Sequence, residues 1–152
     1  MESETLIDHG EPVRQFSVML PNRAGALVAM VKLLRGSGIE VIGLSMQDSR
    51  DVTIARLIVS DPDTAEQLFI EKGIPFSTCE MIVVVLRESV PNLLQCLDIL
   101  MISETNMDFA YALLPCPKGE SMLAMHVEDY EFATAMLHQS GFKLIYQNDL
   151  SR

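Results

Sequence analysis

Apolar and polar positions alternate along "VRQFSVML", where Phe16, Val18 and Leu20 share one side, as in a strand with one buried face. From Leu27 the period changes. Leu27, Met30, Val31 and Leu34 follow the spacing of an amphipathic helix, Lys32 and Arg35 fall off that stripe, and Gly36 and Gly38 end it. "IEVIGLSM" and "VTIARLIVS" read as two strands, and the turn residues "DSRD" between them make the pair a hairpin. "DPDTAEQLFIEKG" carries its own helix start. Asp61 caps, Pro62 fits the first turn, Asp63 and Glu66 suit the positive end, and Ala65, Leu68 and Phe69 form the buried face. "IPFSTCE" completes the set as a short fourth strand.

The same order then recurs as "MIVVVLR", "SVPNLLQCLDILMIS", "MDFAYALL", "ESMLAMHV", "EDYEFATAMLHQSG" and "FKLIYQ". Gly73 and Gly141 lie 68 residues apart, and at that offset Ala65, Leu68 and Phe69 fall on Ala133, Met136 and Leu137, while Leu57 and Val59 fall on Met125 and Val127. Repetition at a fixed offset is the mark of an internal duplication. The expected fold is α+β: two ferredoxin-like βαββαβ units, each an antiparallel sheet with helices on one face. The units are assigned to residues 13–80 and 81–148, behind a flexible acidic tail, residues 1–12. A unit of about 70 residues has a thin core. Its bare sheet face carries Ile58 in the first copy and His126 in the second. The units are therefore expected to pack together, and against a second chain.

Composition narrows the function. Apolar residues make up 49% of the 152 residues, enough for a packed core, and the formal net charge is −10. That charge disfavours nucleic acid and anionic membrane surfaces, both of which require a basic patch. No apolar run approaches the roughly 20 residues of a membrane span, and the acidic start lacks the apolar segment of a signal peptide. Cys79, Cys96 and Cys116 are odd in number and form no CxxC pair, which argues against a disulfide framework or zinc site and for a cytoplasmic location with half-buried or buried thiols. No metal and no cofactor is expected. None of His9, His126 and His138 stands beside a Ser or Cys with a third partner, so a triad is not indicated. An acylphosphatase-like reading would use Arg23 for a phosphate but lacks that family's Gly-rich turn. RNA binding on the sheet lacks paired exposed aromatics.

The stretch "LPNRAGAL" stands out at the join of the first strand and helix. A helix beginning near Ala26 leaves its first backbone N–H groups without intrahelical acceptors, a positive end that suits a carboxylate. Gly25 permits positive φ and close approach of a ligand. Asn22 offers a donor and an acceptor, and Arg23 a bidentate carboxylate contact. Glu40 would receive an ammonium if it lies near a neighbouring unit's turn. In the second copy Pro91 stands where Gly25 stands, removing an N–H and forbidding positive φ, so one copy would bind and the other support it. The plainer reading stays open: Asn22 and Gly25 are also good turn and cap residues, Arg23 a solvated loop residue, and Glu40 a charge guarding a strand edge.

With "PNRAGAL" followed by "GIEVIGLSM" inside a duplicated βαββαβ order, the chain resembles the tandem ACT-domain proteins over about Val13 to Tyr146. The resemblance implies a regulatory module without catalysis of its own that binds a free amino acid or related effector at an ACT–ACT interface, at the turn of Asn22, Arg23, Ala24, Gly25, Ala26 and Leu27; Glu40, which stands where many members carry Asn, joins the ligand-binding set by its charge, and a homodimer is the expected assembly. The alternative is an ACT scaffold that has lost its ligand, dimerises and serves an amino-acid biosynthetic enzyme as a regulatory subunit.

Overall fold

The computed structural model describes residues 10–48, 50–114 and 120–151. Most of the tail (residues 1–9, with His9) and Cys116 lie outside the described residues. The first set of elements is β1 (Val13–Pro21), α1 (Ala26–Gly36), β2 (Val41–Asp48), β3 (Val52–Val59) and α2 (Pro62–Glu71). β4 (Phe76–Leu86) follows, then α3 (Ser89–Ile102), β5 (Met107–Ala112), β6 (Ser121–Val127), α4 (Tyr130–Gln139), β7 (Leu144–Ile145) and α5 (Gln147–Leu150).

Two expectations are corrected. "IPFSTCE" and "MIVVVLR" are not separate strands but the halves of β4, which runs through both repeats. Residues from Phe76 to Met81 pair with β1, and Ile82–Leu86 pair with β6. The antiparallel order is β2-β3-β1-β4-β6-β5, with β7 also on β4. The second correction concerns "FKLIYQ", of which only Leu144–Ile145 is strand. The edge of β4 that β7 occupies at Val83 and Val84 is already taken at Met81 by Val13 of β1. The chain must turn away there. Gln147 opens α5, donating its N–H to the Glu11 carbonyl (3.0 Å), accepting from the Arg14 amide (3.0 Å) and donating its side chain to the Val59 carbonyl (3.2 Å).

Strand alternation creates three apolar layers. Phe16, Val18, Leu20, Leu57 and Val59 pack against Met30 and Leu34 of α1 and Ala65 and Phe69 of α2. Ile82, Val84, Leu86 and Met125 pack against Cys96 and Leu100 of α3 and Ala133 and Leu137 of α4. The opposite sheet faces meet each other: Val13, Ile58, Met81, Val83, Val85, Met122 and Ala124 form a third core. This explains the unbroken apolar run of β4, buried on both faces. It also shows that the two repeats pack through the face carrying Ile58. The sheet curls until its edges touch, with a bridge between Gly43 and Leu113 and the Leu114 N–H donated to the Ile42 carbonyl (2.8 Å). Gly43 is required at this seam, because a Cβ there would stand 2.4 Å from Leu113 Cδ2.

Gln15 gathers polar partners inside the curl, whereas the buried Arg56 Nε has no hydrogen-bond partner among the described residues. The Tyr111 hydroxyl donates to Gln15 Oε1 (2.7 Å), and Gln15 Nε2 donates to Cys79 Sγ (3.3 Å) and Ser17 Oγ (3.4 Å). Burial pushes the Tyr111 hydroxyl well above the ordinary tyrosine range and holds it as the donor Gln15 needs. At one end of the layer the Arg56 guanidinium lies 4.2 Å over the Phe109 ring, which stacks on His126.

The α2 start follows the sequence signals. Asp61 accepts from the Thr64 hydroxyl (2.6 Å) and amide (3.2 Å), which hold its carboxyl below the usual range. Asp61→Ala is expected to cost about 1 kcal/mol in urea denaturation at neutral pH. A lowered folded-state pKa gives stability present above the unfolded carboxyl's pKa and lost on acidification. The gap between wild type and variant therefore narrows below about pH 4.

Candidate functional site

β1 ends at Pro21, and a short turn carries the chain into α1. Gly25 is the residue before the helix and has φ of 87°. A side chain at that φ is strained, so glycine is the residue that lets the turn form. It also leaves the helix start without a side-chain cap. The Ala26 amide makes a long contact to the Arg23 carbonyl (3.4 Å), and the Gly25 carbonyl accepts from Ala29 (2.9 Å). Among the described residues no hydrogen bond closes on the Leu27 or Val28 amide. These are the donors that a helix start presents to an anion.

They adjoin a cavity of about 210 Å³ lined by Arg23, Ala24, Gly25, Ala26 and Leu27 of the turn, by Leu20 and Val28, and by Met46 and Thr53 from the β2–β3 hairpin. A Cβ at Gly25 would meet nothing within 4 Å, so the space beside the turn is open. Arg23 is exposed and, among the described residues, has no ion-pair partner. Thr53 donates to Asp48 Oδ1 (2.9 Å), which brings a carboxylate next to the lining.

The structure thus gathers five of the seven residues singled out in the sequence. Asn22 is exposed beside the turn but does not line the cavity. Glu40 belongs elsewhere: it lies past the far end of α1, in an apolar cleft of about 580 Å³ with Arg35, Val31, Ile39, Leu44 and Leu114. Its backbone pairs with Ser60, accepting from the Ser60 N–H (2.9 Å) and donating to Ser60 Oγ (2.9 Å). Sequence reasoning missed Thr53, Met46 and Asp48. The signal was in the register, since an antiparallel β1–β3 pair sets Thr53 opposite Leu20 and the hairpin sets Asp48 opposite Thr53.

The equivalent start in the second repeat is built differently. α3 has Pro91 in its first turn, and the Glu88 N–H is held by Asn92 Oδ1 (2.7 Å). The two repeats therefore differ where they would bind.

The family model for the ACT domain pair matches residues 12–152. The chain belongs to the ACT domain pair family. Its fold has counterparts among solved structures. A Bacteroides thetaiotaomicron protein superposes with a TM-score of 0.84 at 19% identity, covering 93% of this chain and 96% of that one. The ligand-free regulatory subunit of aspartate kinase from Thermus thermophilus gives 0.61 at 12% identity, covering 87% and 94%. The corresponding subunit from Thermus flavus gives 0.53 at 16%, covering 86% and 94%. No curated protein sequence matches the chain. Among the described residues of this ACT domain pair, no helix is long and apolar enough to cross a membrane, and no group of three or more His, Cys, Asp or Glu side chains could hold a metal ion.

Proposed function

We propose that this ACT domain pair is a regulatory protein that senses a small free α-amino acid at the Gly25 turn and has no catalysis of its own. The observation that carries the reading is the uncapped, positive-φ entry to α1 opening on a cavity with one cation at its rim. The ligand carboxylate sits on the Leu27 and Val28 amides and on Arg23, where the helix dipole and the guanidinium both favour negative charge. Its ammonium turns toward the Thr53–Asp48 pair, and a short side chain rests on Leu20 and Met46. The space beside the turn is open on one side, so a neighbouring unit closing over it would share the ligand. A ligand shared in this way shifts an equilibrium between two packings, because separating them splits the site. The output passes to a separate partner, for which an enzyme of amino-acid biosynthesis is the natural candidate, given that two of the structural counterparts are regulatory subunits of aspartate kinase.

A thermal-shift screen of the twenty amino acids tests this, since a ligand held only by the native state raises the melting temperature. At 100 times its dissociation constant a ligand adds about 2.7 kcal/mol. At least one amino acid is expected to stabilise the wild type, and Arg23→Ala is expected to weaken that effect while leaving the unliganded melting temperature unchanged. A stabilisation indifferent to Arg23 would place the ligand elsewhere. The scaffold reading gains from Pro91 in the first turn of α3, and it predicts no stabilising amino acid at all.

A further inference from the structure

Residues 81–148 are rich in carboxylates, and their only cations are Arg87, Lys118 and Lys143. Arg87 and Lys143 line one cleft. It lies between the start of α3 and the end of α4, has a volume of about 110 Å³, and takes Asn92, Gln95 and Ser140 as its other polar side chains. No carboxylate lines it. Its floor is firm. Val85 and Phe142 are buried, and the Val85 N–H donates to the Lys143 carbonyl (3.0 Å), which ties the end of β4 to the chain leaving α4.

The cleft offers donors that lack acceptors. Arg87 and Lys143 are exposed, and neither has an ion-pair partner among the described residues. Asn92 Oδ1 accepts from the Glu88 N–H (2.7 Å), which leaves the NH2 group of that side chain to donate. Gln95 is exposed and adds a second side-chain amide. The duplication shows that the fold does not require this set. By the offset between Leu27 and Leu93, the places of Arg87, Asn92 and Gln95 are held in the first repeat by Pro21, Ala26 and Ala29. By the offset between Gly73 and Gly141, the place of Lys143 is held by Pro75. The same scaffold thus folds with none of the four donors.

Two cations and two amides, with no carboxylate, select the ligand by charge. A phosphate carries about −1.5 to −2 at neutral pH and spreads it over at least three acceptor oxygens. The Arg87 fork suits two of those oxygens, Lys143 adds a point charge, and the amides take what remains. A free amino acid does not match, because its ammonium would meet two cations and no acceptor of opposite charge. The net charge of −10 opposes anions at long range, but at physiological ionic strength charges beyond about 8 Å are largely screened. The local pair of cations decides.

We propose that the α3–α4 cleft is a phosphate site, filled by the phosphate group of a small monoester or by the free ion. It is separate from the Gly25 turn and stands or falls without it.

Titration of the isotope-labelled full chain with inorganic phosphate tests this, at constant ionic strength and about pH 7.5, above the second phosphate pKa of about 6. Saturable shifts are expected at the Asn92 and Gln95 side-chain amides and at Lys143, with a dissociation constant of about 1 mM or below. Arg87→Gln and Lys143→Gln, both at exposed positions, are each expected to weaken binding about tenfold. Lys32→Gln, an exposed cation on α1, is expected to leave it unchanged. Acetate, with one charge and two oxygens, is expected to bind at least tenfold more weakly. Glycerol phosphate decides the source. Saturation of the same residues assigns the site to a monoester, and binding of the free ion alone assigns it to phosphate itself. The proposal is overturned by any of four results: no saturation up to about 20 mM phosphate, shifts centred on Gly25–Val28 instead, acetate binding as tightly as phosphate, or Lys32→Gln weakening binding as much as Lys143→Gln.

Discussion

Phe16→Ala is expected to lower the unfolding free energy by about 3–5 kcal/mol, the range for deleting a buried phenyl ring. Phe16 is fully buried at the centre of an aromatic cluster, its ring 5.4 Å from that of Phe69 and 5.6 Å from that of Phe76, both edge-on. Edge-on pairs add to the loss from burial alone. The site cannot collapse easily, because Phe16 sits on β1, whose backbone is held by β3 at Leu57 and by β4 at Thr78. A loss of this size is a large share of the 5–15 kcal/mol available to a domain. In urea the midpoint falls with little change in slope. Because β4 is common to both repeats, the second repeat is expected to lose structure in the same transition. A loss under about 1 kcal/mol would mean the three-ring cluster is not the centre of this core.

Ile58→Asp is expected to have an effect at least as large. Ile58 is fully buried between the two sheet faces, among Val13, Met81, Val83 and Ala124. An unpaired carboxylate there costs several kcal/mol, and the group avoids part of that cost by staying protonated. Its folded-state pKa would thus lie above its unfolded value. Destabilisation from such a group is least below the unfolded carboxyl's pKa, near 4, and grows as pH rises through the folded value. Ile58→Val at the same place is expected to cost only about 0.5–1.5 kcal/mol. Denaturation of both variants at acid and neutral pH checks this. If the two faces did not pack together, Ile58→Asp would be nearly neutral and independent of pH.

The repeat order, the starts of α1 and α2 and the packing of the two repeats were legible because they rest on local rules. Phe16, Val18 and Leu20 alternate, Asp61 caps, and Ile58 makes the sheet face too apolar for water. What was not legible depends on which strand reaches an edge first. Nothing in "IPFSTCEMIVVVLR" marks its middle as continuous strand, because the continuity comes from β1 and β6 taking successive halves. Nor does "FKLIYQ" reveal that Val13 already occupies the edge of β4 it would need. In the turn, Gly25 announced itself through local chemistry, whereas Thr53 and Asp48 arrive from a distant hairpin by register. Glu40 was assigned by its charge to a neighbouring unit's turn; the length of α1, about 16 Å, separates it from the turn of its own unit.

The sensing account rests on the backbone amides at the entry to α1. Amide chemical shifts of the isotope-labelled full chain, followed while each of the twenty amino acids is titrated in, test it most directly. The account predicts saturable shifts for at least one of them, centred on Gly25–Val28 with Thr53 following, and their loss in Arg23→Ala. It is contradicted if no amino acid produces saturable shifts, or if those that do leave Gly25–Val28 unmoved.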